Sequence, residues 1–189
     1  VVVINRVKPH TSFHGLYESG LMKMIAVGLG KQRGAAAIHK LGIPGLREEM
    51  PAVALEILAT GKILLGVAIV ENAYDETLAL EVIPSAQIPE REPALLELAR
   101  ANMPGLPVED IDLLIVDEIG KAISGTGMDT NVIGRLRIAG EPEPDRPRIG
   151  KIFVRDVVGD SAYGIGLADV TTRRLVAQAD WSVTRTNVE

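Results

Sequence analysis

Cysteine is absent from the 189 residues. That excludes disulfides, thiolate nucleophiles, iron–sulfur ligation and cysteine-type zinc sites. Aromatic residues make up 3% of the chain, with two Phe, three Tyr and one Trp. A core must therefore be built from Val, Ile, Leu, Ala and Met, and too few rings are present for the stacking platforms of RNA-binding domains. The net charge of −5 provides no basic face for nucleic acid. No apolar run approaches the ~18 residues of a membrane span; the longest, Ile63–Val70, has the length of a strand. A chain with neither cysteines nor a span fits a cytoplasmic setting. Histidine, too, is missing after residue 39.

What is present is aliphatic and regularly patterned. Short β-branched runs at Val1–Asn5, Ile63–Val70, Leu78–Ile83, Ile111–Val116 and Lys151–Val158 predict strands. Val132–Ile138 is a further candidate strand. Helical spacing predicts helices over Glu18–Gly30, Gly34–Leu41, Arg47–Ala59, Ala94–Asn102 and Val170–Ala179. Pro51 is tolerated only in a first turn, so the third of these is expected to begin nearer Met50. Strands alternating with helices predict an α/β fold: one layered domain over 1–189, with a largely parallel or mixed sheet flanked by helices. The chain opens inside the apolar run Val1-Val2-Val3-Ile4. That opening is expected of the C-terminal part of a longer, two-domain protein, with its N-terminal domain absent.

The polar chemistry is concentrated. His10, His14 and His39 all lie in the first 39 residues, with Lys23 between them beside Met22 and Met24. Histidine is the side chain best suited to acid/base work and metal ligation near neutral pH. A lysine on an apolar helix face either snorkels to water or is held in a pocket. Scattered histidines and a surface lysine are the plainer account. Gly28-Leu-Gly-Lys-Gln-Arg-Gly34 suggests a phosphate loop but is not a Walker A, since Gln32 follows Lys31. A second cluster, Asp117 to Asn131, follows the strand Ile111–Val116 and carries Glu118, Lys121, Ser124, Asp129 and Asn131. In open α/β sheets ligands bind at the C-terminal ends of strands, while the alternative is a solvated loop of turn formers.

The segment Asn5-Arg-Val-Lys-Pro-His10, followed by Gly15 and Gly20-Leu-Met-Lys23, with His39 sixteen residues after Lys23, resembles the family of nickel-dependent lactate racemases. The resemblance spans most of the chain, and the first 39 residues carry its most specific part. It implies that Lys23 carries a covalently attached nickel-pincer nucleotide, a pyridinium mononucleotide with thioamide and thiocarboxylate arms. It further implies that His39 ligates the nickel and that His10 is the general acid/base on the hydroxyl of a small-molecule 2-hydroxy acid. The implied reaction is racemisation or epimerisation, the C2 hydride passing to the cofactor and back. Implied partners are the N-terminal domain and the enzymes that mature the cofactor, with neither nucleic acid nor membrane. The chain alone would then be inactive.

Two features depart from the family pattern. His10 and Lys23 are thirteen residues apart, a few more than in characterised members, so the stretch Thr11–Tyr17 holds an insertion and His14 can take over the role of His10. Glu118-Ile-Gly-Lys121 is similar to a Gln-x-x-Lys pair near the substrate, with Glu in place of Gln. Lys121 would hold the substrate carboxylate or developing alkoxide, whereas Glu118 would repel an anion, leaving room for another 2-hydroxy acid or a sugar acid. The rival readings are a non-catalytic nucleotide- or metal-binding module using Gly28–Gly34, and a simple metal site of His10, His14 and His39. No acidic residue lies close enough in sequence to complete that metal site convincingly.

Overall fold

A computed structural model describes residues 1–158 and 165–178 of the chain. They form the expected α/β structure, with mixed and parallel sheets. Where the strand–helix alternation predicts one layered domain, the chain divides into two compact units, Val1–Pro104 and Gly105–Glu189. Each has its own three-stranded sheet and its own apolar core. Periodicity reports which face of an element is buried but not against which neighbour, so it does not distinguish one sheet from two.

In the first unit β1 (Val2–Arg6) lies parallel to β2 (Leu65–Glu71), which pairs antiparallel with β3 (Thr77–Pro84). The register places Val3, Gly66 and Ile83 abreast on one face. There Val3, Ala68, Val70 and Ile83 pack with Leu21, Met22, Ile25, Met50, Leu95 and Leu96. The connection from β1 to β2 is helical. It comprises α1 (Leu21–Lys23), which runs into a π-helical turn (Met24–Gly28), then α2 (Lys31–His39) and α3 (Gly42–Pro44). A second π-turn (Gly45–Glu49) leads into α4 (Met50–Ala59). Pro51 sits in the first turn of α4, as expected. A parallel pair requires such a crossover, since no tight turn can join its strands.

The helix predicted from Glu18 begins instead at Leu21, and its first turn is held by a residue seventy positions away. Gly20 at the cap has no side chain to offer. Glu92, from α5 (Ile88–Ala101), accepts the Met22 backbone N–H at 2.9 Å. Any larger residue at position 20 would displace the Glu92 carboxylate, because a Cβ would fall 2.2 Å from Glu92 Oε1. The prolines that seemed to delay α5 until Ala94 lie inside it, Pro89 in the first turn and Pro93 within the helix. Pro93 has no N–H to donate to the Pro89 carbonyl four residues back. That carbonyl accepts the Tyr17 hydroxyl at 2.9 Å instead.

In the second unit β4 (Asp110–Ile119), β5 (Arg148–Val157) and β6 (Val170–Thr171) are all parallel. The predicted strand Val132–Ile138 is not formed. Asp129 caps the short helix α6 (Thr130–Ile133) by accepting from the Asn131 N–H at 2.9 Å. Gly134 stops it at φ +60 with a conformation that a β-branched residue resists. The Glu143 carboxylate then takes the Leu136 and Arg137 N–H groups that a sheet would have used. The helix predicted over Val170–Ala179 gives its first residues to β6 and its remainder to α7 (Arg173–Gln178); Ala179 lies outside the described residues.

Glu92 is 1% exposed and its Oε1 has no hydrogen-bond partner among the described residues. Burial pushes its carboxyl up to about 7 despite the backbone N–H groups of Met22 and Leu21. A group that holds its proton more tightly folded than unfolded adds stability in full below its ordinary value of 4.5, and that stability is lost as pH rises through about 7. The unfolding free energy is therefore expected to fall by about 3 kcal/mol between pH 4 and 8 on account of this group. Glu92→Gln keeps the acceptor for Met22 and should flatten that portion of a stability–pH curve. An unchanged slope in the variant would show that Glu92 is not its source.

Candidate functional site

The stretch between β1 and α1 is a closed loop. Val7 N–H donates to the Ile69 carbonyl at 2.8 Å, and Lys8 and Ser19 exchange backbone hydrogen bonds at 2.8 and 3.2 Å. Inside the loop lies Glu18, whose side chain is 0% exposed. Oε2 accepts the His10 backbone N–H at 2.6 Å. Oε1 accepts the Gly15 N–H at 3.0 Å, faces His14 Nδ1 at 3.3 Å and receives the Arg100 guanidinium from α5. A buried carboxylate is tolerated only when its oxygens are satisfied in this way. Phe13 is fully buried, and its ring packs 4.7 Å from that of His10. Arg47 Nε donates to the His14 carbonyl at 3.0 Å from the other side.

The three histidines differ in what holds them. His10 is half-buried, and its Nδ1 accepts the Ser12 N–H at 3.0 Å. In the neutral ring the proton therefore sits on Nε2. Burial first, then the positive charges of Lys23, His39, His14 and Lys8, push its pKa down to about 3. His14 is exposed and carries the reverse tautomer: a carboxylate only accepts, so Nδ1 donates to Glu18 and the neutral ring presents the Nε2 lone pair. His39 ends α2, exposed, with Nδ1 at 2.7 Å from the Ala35 carbonyl. Since a carbonyl also only accepts, Nε2 of His39 is again the lone-pair nitrogen.

Lys23 is half-buried at the end of α1. Burial, and secondarily the charge of Lys8, pull its pKa below the ordinary lysine range. A larger fraction of free amine makes a lysine more nucleophilic.

Four residues expected from the sequence therefore fall in one neighbourhood: Lys23, His39 and His14 all bear on the charge state of His10. Lys8 joins them, although sequence reading passed over it. So do Glu18, which was expected to begin a helix, and Arg100. The available signal for Glu18 was its position four residues after His14; its burial was not visible. Lys121 belongs to the second unit, exposed in the turn after β4, and Glu118 lies within β4 itself, in register with Asp156. Asp129 and Asn131 are bonded to each other at the cap of α6. The Gly28–Gly34 segment joins a π-turn to α2, with Gly30 as cap and Lys31 at φ +54. Among the described residues no three His, Asp or Glu side chains gather to hold a metal ion, so the simple site of His10, His14 and His39 is not formed. Among the same residues no helix is long and apolar enough to cross a membrane.

A scan of protein-family models, a search of curated proteins and a search of solved structures each return no match to this chain.

Because Lys23 heads the charges acting on His10, Lys23→Met should raise the His10 pKa from about 3, measured by NMR titration of the ring. It should stay below 6.5, since burial is the leading cause and remains. No rise would mean that the Lys23 ammonium does not reach His10.

Proposed function

We propose that the protein takes part in racemising or epimerising a 2-hydroxy acid, using a nickel-pincer nucleotide carried on Lys23. The observation that supports it most is the convergence of Lys8, Lys23, His14 and His39 upon a neutral, half-buried His10. Lys8, whose charge acts on His10, attracts an anionic carboxylate to this partly desolvated setting. A neutral imidazole within it provides a hydrogen-bond donor that does not compete for that anion.

The residues present suit the cofactor that the resemblance implies. Lys23 supplies an amine whose lowered pKa favours covalent attachment through Nζ. His39 supplies one imidazole nitrogen oriented by its bond to the Ala35 carbonyl, a common arrangement for a metal-ligating histidine. One protein ligand is enough where the organic part of the cofactor supplies the others, and imidazole suits nickel. When bound, the group supplies a two-electron acceptor and donor for the substrate's C2 hydride.

This chain's own residues bind and orient. Lys8 attracts the substrate carboxylate once the Lys23 amine is engaged. His10 donates from Nε2 to the C2 oxygen and keeps that role across the neutral range, because its pKa of about 3 leaves it uncharged. The substrate contact of Lys121 rests on the Glu118-Ile-Gly-Lys121 resemblance alone. The setting is cytoplasmic, with the maturation enzymes as partners.

Intact mass and nickel analysis of the protein, co-expressed with the cofactor-making enzymes, test the reading. A mass increment on the Lys23 peptide and about one nickel per chain are expected, and both should vanish in Lys23→Ala. No increment in the wild type would overturn the proposal in favour of a non-catalytic binding module.

A further inference from the structure

We infer that His14, oriented by Glu18, is the group that moves the substrate's hydroxyl proton, and that His10 is not. The inference rests on the 2-hydroxy acid reading above and assigns the proton chemistry of that same site.

The two histidines hold opposite tautomers. His10 cannot accept a proton at Nε2 while its Nδ1 takes the Ser12 N–H, for the neutral ring already carries its hydrogen there. His14 is placed the other way round. Its Nδ1 faces the Glu18 carboxylate at 3.3 Å, and its Nε2 lone pair is left for a substrate. A carboxylate behind an imidazole fixes the tautomer and stabilises the imidazolium that forms when the ring takes a proton.

Glu18 is suited to that positioning task. It is fully buried, and its oxygens are held by the His10 and Gly15 backbone N–H groups and by Arg100. The carboxylate cannot turn away from His14 without breaking those bonds. His14, by contrast, has 43% of its side chain exposed, enough to meet a ligand. If His14 served only to fill a hydrogen bond of Glu18, the other three donors would already do so.

The step balances simply. The O–H bond of the C2 hydroxyl breaks and its proton bonds to His14 Nε2. With a hydride acceptor held on Lys23, the electron pair left on oxygen would form the C=O bond and the C2 hydrogen would leave with its own pair to that acceptor. Return of the hydride and the proton restores the hydroxy acid. Glu18 positions the ring and does not itself take the proton.

The test has two arms, the first free of cofactor. Ring-nitrogen NMR of the full chain at pH 8 should find neutral His14 with its hydrogen on Nδ1. Diethyl pyrocarbonate should acylate His14 at least about tenfold faster than it does in Glu18→Gln, the variant's fold being checked by circular dichroism. An Nε2–H tautomer at His14, or equal acylation in a folded Glu18→Gln, overturns the dyad whether or not Lys23 is ever loaded. Absence of loading with fast acylation overturns the preceding reading and leaves the dyad standing. The second arm uses loaded protein. His14→Ala should lose about 100-fold or more in kcat with KM little changed, and added imidazole should restore part of it. Full activity in His14→Ala, or a loss that imidazole does not relieve, overturns the assignment to His14.

Discussion

The loop that carries His10 and His14 depends on one buried carboxylate. Glu18 lies under the loop with its side chain out of water, and four donors converge on it. Three come from the loop itself and the fourth, Arg100, from α5. Desolvating a carboxylate is costly, and only such a complete set of charge-assisted bonds makes it tolerable. The result is directional: satisfying Glu18 determines where the His10 backbone, the Gly15 backbone and the His14 ring must be. Removal of the Arg100 guanidinium would leave a buried charge without its cation, so the ion pair contributes specificity of loop conformation more than net stability.

Helix α5 connects this constraint to the rest of the first unit. Along one helix Pro89 accepts the Tyr17 hydroxyl, Glu92 accepts the first N–H groups of α1, and Arg100 pairs with Glu18. Arg91 meets Glu81 of β3 with two bonds, at 2.8 and 2.6 Å. The interior proline, which would ordinarily weaken a helix, leaves a carbonyl without its N–H partner, and the incoming loop uses that carbonyl. A local irregularity in α5 thus becomes an anchor for the chain that leads into α1 and Lys23.

Electrostatics then separates the roles of the titratable groups. Burial and surrounding positive charge act in the same direction on both Lys23 and His10, favouring the neutral form of each. A neutral amine is a nucleophile, and a neutral imidazole is a hydrogen-bond donor over the whole physiological range. His14 is exposed and backed by a carboxylate, where His10 is half-buried and packed against a ring. Pairs of like residues whose surroundings are made different are the usual means by which a site divides its chemistry.

The α/β class, the core strands and the position of the histidine-rich stretch were legible from residue order, because hydrophobic spacing and residue type report burial and chemistry locally. Pro51 likewise placed the start of α4 correctly. The strand expected at Val132–Ile138 failed because the Asp129 cap, the turn at Gly134 and the Glu143 carboxylate together outweigh β-branched propensity. The start of α5 was misplaced since an interior proline was read as a boundary, with no way to see that Tyr17 would occupy the freed carbonyl. Division into two units, the burial of Glu18 and of Glu92, and the opposite tautomers of His10 and His14 belong to tertiary structure alone. The buried carboxylates depend on partners up to some eighty residues distant, and the tautomers on the loop that Arg100 and Glu18 hold in place; desolvation and hydrogen bonding of this kind leave no periodic trace in a sequence.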